Sequence, residues 1–342
     1  MGDSLRRVPA WAWLTGIVVA STVFRWSYGR GMVAPFIMVD ELIYSELARS
    51  LAEGRGLEVR GEPYLVSLLY PLLLAPVYAV ADSLPDAYAA VKALNAVVMS
   101  LAAVPAYLLA RRVLPTGLSL LAALLAVAVP SLAYTGTVMT ENLFYPAFLL
   151  AAWALVRMLE RPTAATQLVA LALAGAAALI RVQAVALVLA ALTAPLLLRR
   201  PLRPFAPLYG VALGGAALLV LAQLARGGSL SSLLGAYKVV GESDYDLGQV
   251  ARFLVWHVAE LDLYLGVFPV VAFVLLAARA RSLDEPARAF LAATGALAIW
   301  VLLVVSAFAS QFASNRIQER NLFFLAPLFL IALLVWLDRG AA

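Results

Sequence analysis

Residues 64–81 read YLVSLLYPLLLAPVYAVA, an apolar run long enough to cross a bilayer, and whether it crosses decides the topology of everything that follows. Counting it as a crossing puts Arg111 and Arg112 outside and inverts every later assignment. Pro71 and Pro76 interrupt the run and remove backbone donors that a spanning helix needs. The run is therefore read as lying at the membrane interface. The remaining apolar stretches then give about ten spans, at residues 10–27, 87–110, 116–135, 143–159, 164–180, 182–198, 205–225, 257–278, 287–309 and 321–337.

With that order the arginines sort themselves. Arg6 and Arg7, Arg111 and Arg112, Arg157 and Arg161, Arg199, Arg200 and Arg203, Arg279 and Arg281, and Arg339 all fall on one side. The positive-inside rule makes that side the cytoplasm, with both termini there. Composition supports the class: of 342 residues 64% are hydrophobic and only 13% charged, with a mean hydropathy of +0.93, against roughly a quarter charged in soluble chains. The expected fold is all-α, a polytopic integral membrane protein of the cytoplasmic membrane with one transmembrane domain over residues 1–342. Residues 28–86 form a first extracytoplasmic loop carrying two amphipathic surface helices, and residues 226–256 form a later outer loop.

The first span is read as retained. No small-residue cleavage site follows it, and Phe24, Arg25, Trp26 and Tyr28 suit an interfacial belt at a helix end. The absence of cysteine excludes disulfide and thiolate chemistry, and a single histidine argues against a His-rich zinc centre. The net charge of +5 follows topology, so no nucleic-acid partner is expected.

Within the first outer loop, residues 41–53 (ELIYSELARSLAE) set apolar Leu42, Ile43, Leu47 and Leu51 near helical spacing, which predicts a short surface helix ended by Gly54, Gly56 and Gly61. At its start stand Asp40 and Glu41. Two adjacent carboxylates at a bilayer surface disfavour each other's charge unless they hold a metal or take a proton. The plainer reading is that they favour the helix N-terminus. Glu141 has the same two readings ahead of the fourth span. Loop acids Glu242, Asp244 and Asp246 read as solvated polarity.

The cations opposite these acids are also few. Arg181 interrupts an apolar stretch from Leu168 to Leu198, where a lone guanidinium is costly without a carboxylate or phosphate partner; its alternative is a snorkelling anchor. Arg316 and Arg320 precede the last span, with Glu319 placed to orient Arg320. Lys92 is either an anchor or an anion contact. His257, beside Trp256 and one turn before Glu260, is read as opening the eighth span, either as a belt residue or as a ligand. Asp40, Glu141 and His257, with Glu41, are oxygen-rich donors of the kind that suit Mg²⁺, Mn²⁺ or Ca²⁺.

The run Val39-Asp40-Glu41-Leu42-Ile43-Tyr44, then Ala48, Gly54, Gly56 and Tyr70-Pro71-Leu72-Leu73-Leu74-Ala75-Pro76, resembles the first outer loop of GT-C class glycosyltransferases. It is most similar to the branch of dolichyl-phosphate-mannose protein mannosyltransferases and the bacterial lipid A aminoarabinose transferase. Thr140-Glu141-Asn142, Ile180-Arg181 and Glu319-Arg320-Asn321 extend the resemblance. It implies inverting transfer of a sugar from a polyprenyl monophosphate carrier to a lipid, polysaccharide or protein acceptor at the outer face. It implies roles too: Asp40 as base or metal ligand, Glu41 orienting the acceptor or sharing the metal, and Arg181, Arg320, Arg316, Lys92 and His257 near the donor phosphate. Several relatives carry more helices or a soluble domain beyond this part, so acceptor recognition is expected to differ. A transporter or lipid flippase is the competing class and a non-catalytic envelope subunit the third, but the sequence shows no internal repeat, and its charges gather at one surface rather than at the midplane.

Overall fold

The computed structural model describes residues 8–32, 39–313 and 316–339. It is all-α apart from one two-residue hairpin, and it divides into two compact units, Met1–Leu150 and Ala151–Ala342.

In the first unit, α1 (Ala10–Gly29) is followed by α2 (Val39–Ala52), a β1–β2 hairpin (Glu58–Val59, Glu62–Pro63) and α3 (Leu69–Val80). The hairpin turns through Arg60 and Gly61, both at positive φ, the backbone that a two-residue turn requires. Both helices expected in the first loop are present. α2 faces inward differently from the expectation: it buries Glu41, Tyr44, Leu47 and Ala48, while Leu42 stays 60% exposed. Its buried side is thus not the purely apolar one, because Glu41 finds polar partners inside. Tyr44 meets Tyr70 of α3 edge to face at 5.8 Å.

Next come α4 (Leu84–Ser100) and α5 (Ala103–Ala110), which together form a 27-residue apolar stretch, then α6 (Thr116–Val127) and a 3₁₀ segment, Pro130–Gly136. Ser83 caps α4 by accepting from the Asp86 amide, and Pro85 sits in its first turn. α1 packs on α4, α6 and the 3₁₀ segment. Phe24, Trp26 and Tyr28 are exposed, as a belt requires, but Arg25 is not. Its guanidinium is buried and donates to Thr135 Oγ1 at 2.7 Å, to the Val127 carbonyl at 2.9 Å and to Ser21 Oγ at 3.1 Å. This corrects its reading as an interfacial residue: Arg25 satisfies a carbonyl left open at the end of α6 and ties down the segment after it.

α7 (Glu141–Glu160) leads to the second unit, which holds α8 (Ala164–Ala178), α9 (Val185–Leu197), α10 (Ala206–Ala225), the short α11 (Lys238–Glu242), α12 (Leu247–Leu265), α13 (Phe268–Ala278), α14 (Glu285–Phe312) and α15 (Ala326–Asp338). α14 is the pillar of this unit, packed by α9 and α12. Ala287, Ala289, Ala292, Ala293, Ala296 and Ala298 are among its buried residues, and small side chains let helices approach closely where no water drives them together. Gln167 of α8 ties in the start of α10, donating to the Pro204 carbonyl and accepting from the Leu208 amide, both at 2.8 Å. The rest of α10 leaves its leucines outward, Leu213, Leu218, Leu219 and Leu221 each at least 60% exposed, as a lipid-facing helix would.

Four helical stretches among the described residues are long and apolar enough to cross a membrane: Leu84–Ala110, Glu141–Glu160, Arg203–Ala225 and Glu285–Phe312, or five with the bent pair α12 and α13. The stretches read as spans at 116–135, 164–180, 182–198 and 321–337 are shorter helices here. The eighth span needs correction. Residues 257–278 are not one helix: α12 begins ten residues earlier, at Leu247, and meets α13 at 109°. Gly266 ends α12 in the left-handed region, its amide and that of Val267 both reaching the Asp262 carbonyl. Val267 follows at φ 65, an unusual backbone for a β-branched residue. His257 consequently lies mid-helix rather than at a span's opening.

Candidate functional site

The expected site residues fall into two clusters, one in each unit. In the first, the organising feature is the chain from Gly136 to Asn142, where the 3₁₀ segment hands over to α7. Glu41 is fully buried and accepts from the Val138 amide at 2.8 Å, while Tyr88 OH lies 3.4 Å from both Glu41 Oε2 and the Gly136 carbonyl. A carboxylate that accepts a backbone N–H in a buried place is anchored by a charge-assisted bond, which explains why α2 turns an acid inward. Asp40, one residue earlier, is half-buried at the first turn of the same helix, where the helix N-terminus favours negative charge. The plainer reading and the chemical one therefore coexist: both acids sit at a helix start, and they differ in exposure.

Lys92 lies one turn beyond Tyr88 on α4 and is buried. Its ammonium donates to the Gly29 carbonyl at 2.8 Å and to the Met32 carbonyl, and it stands 4.7 Å from the Tyr88 ring centroid. Two carbonyls at the end of α1 thus hold a cation beside a cavity of about 300 Å³ lined by Trp26, Arg30, Pro85, Tyr88 and Lys92. Farther along the same face Asn95 accepts from Tyr70 OH at 3.1 Å and donates to the Thr137 carbonyl at 3.0 Å. Burial pushes the Tyr70 phenol above its usual range.

Glu141, buried at the start of α7, receives the Thr140 hydroxyl at 3.4 Å. Asn142 binds the carbonyls of Tyr134, Thr137 and Met139, each at 3.0 or 3.1 Å. Glu41 and Glu141 are therefore set about one polar turn, and Lys92 stands over the ring of Tyr88, whose hydroxyl reaches that turn at the Gly136 carbonyl. Tyr70, Tyr88 and Asn95 were missed as members of it. Their signal was present: Tyr88, Lys92 and Asn95 recur at i, i+4 and i+7, a polar stripe on one face of an apolar helix.

In the second unit the organising feature is the segment 316–321 before α15. Arg181, buried at the junction after α8, donates to Asn321 Oδ1 at 2.6 Å and to Gln183 Oε1 at 3.0 Å. His257, fully buried on α12, accepts the Gln318 amide at Nε2 (3.1 Å), so its proton sits on Nδ1, which faces the Phe253 carbonyl at 2.7 Å and Ser306 Oγ at 3.4 Å. These two residues hold Gln318 and Asn321 in a short stretch that also carries Arg316, exposed, and Arg320, half-buried. Arg181 thus fixes the Asn321 side chain and His257 the Gln318 backbone, on either side of Arg320.

Among the described residues no three of histidine, aspartate and glutamate gather within reach of one metal ion. With both nitrogens of His257 engaged by the protein, the residues present do not fit the three-ligand set read from the sequence, and no step below is routed through a metal.

Residues 66–224 match the family described as dolichyl-phosphate-mannose-protein mannosyltransferase. No curated protein sequence matches the chain. In fold it is similar to two crystal structures of ArnT from Cupriavidus metallidurans. One is in the apo state (TM-score 0.63, over 97% of this chain) and the other is bound to undecaprenyl phosphate (TM-score 0.65, over 95%), each at 17% identity. The chain spans 60% of the length of those proteins. The resemblance read from the sequence thus agrees with a match to the mannosyltransferase family over residues 66–224 and with the all-α fold of ArnT across nearly the whole chain.

Proposed function

We propose that this chain is an integral membrane glycosyltransferase that moves a sugar, with inversion, from a polyprenyl monophosphate carrier to a lipid, polysaccharide or protein acceptor. It would cross the cytoplasmic membrane about ten times, with α2 and α3 on the outer surface and the acids of the first unit facing outward. The observation that carries the reading is the pairing of a half-buried Asp40 with a fully buried, anchored Glu41, in a unit that also buries Lys92.

The chemistry asks for a base and for positive charge at the leaving group. Asp40 takes the proton of the acceptor hydroxyl as its oxygen attacks the anomeric carbon. The bond from that carbon to the phosphate oxygen breaks with its electron pair passing to the phosphate. Glu41 and Glu141 orient the acceptor, and Lys92, Arg316 and Arg320 are the cations assigned to the phosphate. Arg181 and His257 serve it by fixing residues 316–321.

One observation favours a second reading. The 109° break between α12 and α13 is of the kind found in transporters, whose broken helices bind cargo. Sugar release from a panel of radiolabelled polyprenyl-phosphate sugars separates the two. Turnover of one donor by the purified protein, lost in Asp40→Asn while donor binding survives, supports the transferase. Binding or movement of a donor without cleavage of its sugar bond supports the transporter.

A further inference from the structure

The far end of the second unit holds a cavity that the transfer chemistry does not use. It has a volume of about 520 Å³ and lies where α9 and α13 end and α14 begins. Its walls are apolar, with Leu197, Phe273 and Gly295 among them, and its rim carries Arg199, Arg281 and Arg288. This end is distant from the Arg181 and His257 cluster. Arg181 precedes α9 and Arg199 follows it, about 20 Å along a 13-residue helix. Arg288 and Ser306, which touches His257, are about 27 Å apart along α14.

The charges around the cavity do not cancel. The two acids at the start of α14 are already paired: Glu285 with Arg200, and Asp284 with Arg339 at 2.8 Å. Arg199, Arg281 and Arg288 are all exposed, and no salt bridge engages them among the described residues; Glu285, already paired with Arg200, is the acid that also feels the charge of Arg288. The carbonyl ends of α9 and α13 supply about half a negative charge each, well short of three guanidinium groups. A smaller cavity beside it, edged by Arg279 and Arg339, extends the same basic margin.

We infer that this cavity binds the anionic headgroup of a membrane phospholipid. A phosphodiester offers acceptor oxygens that guanidinium forks bind in pairs, while the apolar walls suit the first methylenes of the chains. A small soluble anion would match the rim but leave the walls wet, and a neutral lipid would match the walls but leave three cations without a counter-charge. An anionic amphiphile satisfies both. The helix ends that rim it carry arginine-rich loops, which on the topology read from the sequence meet the bilayer surface, the position from which basic residues attract acidic lipids. The site is independent of the transferase reading, because it makes no use of Asp40 or of any sugar donor.

The full chain, reconstituted in phosphatidylcholine nanodiscs with a minority of phosphatidylglycerol, is then stripped by detergent, and retained lipid is counted by native mass spectrometry. Wild type is expected to keep phosphatidylglycerol. The Arg281→Gln/Arg288→Gln variant is expected to lose about tenfold in retention, and Arg252→Gln, an exposed arginine next to Phe253, which packs on Ala309 at the other end of α14, to lose nothing. Gly295→Leu tests the walls with the charges intact: a side chain there points at Phe273 and Leu197, 3.5 and 3.8 Å from an added Cβ, and its bulk should expel the lipid. A photoreactive phosphatidylglycerol on wild type should label residues of α9, α13 and α14, which keeps the test valid if a variant does not fold. Equal retention in all variants, labelling elsewhere, or displacement by inorganic phosphate alone would overturn the proposal.

Discussion

The two units solve the same problem, keeping charge beside apolar helices, in opposite ways. The first buries Glu41, Lys92 and Arg25 and anchors each to backbone: Glu41 to the Val138 amide, Lys92 to the Gly29 and Met32 carbonyls, Arg25 to the Val127 carbonyl. The second buries a cation and a neutral imidazole to restrain a short segment, and that segment leaves Arg316 exposed and Arg320 half-buried. A buried ion fixed by main-chain dipoles is set in place before any substrate arrives, which is what a developing transition-state charge needs. An arginine on a tethered segment can still shift to meet a phosphate. On the proposed reaction, Asp40 of the first unit would work beside an anchored Glu41, while the second unit keeps its two arginines on a tethered segment.

The largest expected effect is at Asp40. Asp40→Asn keeps the helix-start polarity but removes the base, so kcat for sugar transfer should fall by roughly 10²–10⁴-fold with no change in thermal unfolding. Activity equal to wild type would leave the first unit without its chemical role. Glu41 tests anchoring instead. Glu41→Ala leaves the Val138 amide without an acceptor in a buried place, and stability should drop by about 1–3 kcal/mol, read as a lower unfolding temperature in detergent. An unchanged temperature would show that the carboxylate is not what holds the turn.

A double-mutant cycle sharpens the second half of the comparison. If Arg181 acts through Asn321, then Arg181→Gln and Asn321→Ala should weaken donor binding to similar extents, and the two changes should couple by about 0.5–3 kcal/mol. Additive losses, with Arg181→Gln much the larger, would make Arg181 a direct phosphate ligand. His257→Gln should cost about 1 kcal/mol for each lost hydrogen bond and raise KM for the donor more than it lowers kcat. A collapse of kcat alone would place the imidazole at the reacting atoms. The smallest effect is at the break: Gly266→Ala forces a Cβ into left-handed backbone and should destabilise by about 1–2 kcal/mol, measured by unfolding, with turnover retained per folded molecule.

Much of the helical layout was readable from composition and period. The helix read over 41–53 runs from Val39 to Ala52, the one over 143–159 from Glu141 to Glu160, and the one over 287–309 from Glu285 to Phe312. In these segments local propensity and apolar content agree with what the tertiary structure needs. The eighth span failed because hydropathy counts apolar residues and is blind to dihedrals. Residues 263–278 are apolar throughout, yet two consecutive positive φ values at Gly266 and Val267 turn the axis by 109°. Gly266 was a visible break signal, but a lone glycine inside an apolar run does not announce a left-handed cap.

The candidate site was legible to a similar degree. Sequence alone picked out the rare ionisable groups, because in a chain this apolar each buried charge needs a partner and so stands out by residue type and position. It determined an all-α membrane protein with Asp40, Glu41, Glu141, Lys92, Arg181 and His257 as the groups to explain. Only the tertiary structure decided their partners. Arg25 looked like a belt residue until Thr135, 110 positions away, was seen to accept its hydrogen bond. His257 read as either a belt residue or a ligand until Gln318 and Phe253 occupied its two nitrogens. A hydrogen bond between residues far apart in the chain depends on how the helices between them are turned and packed, and nothing in local periodicity carries that information.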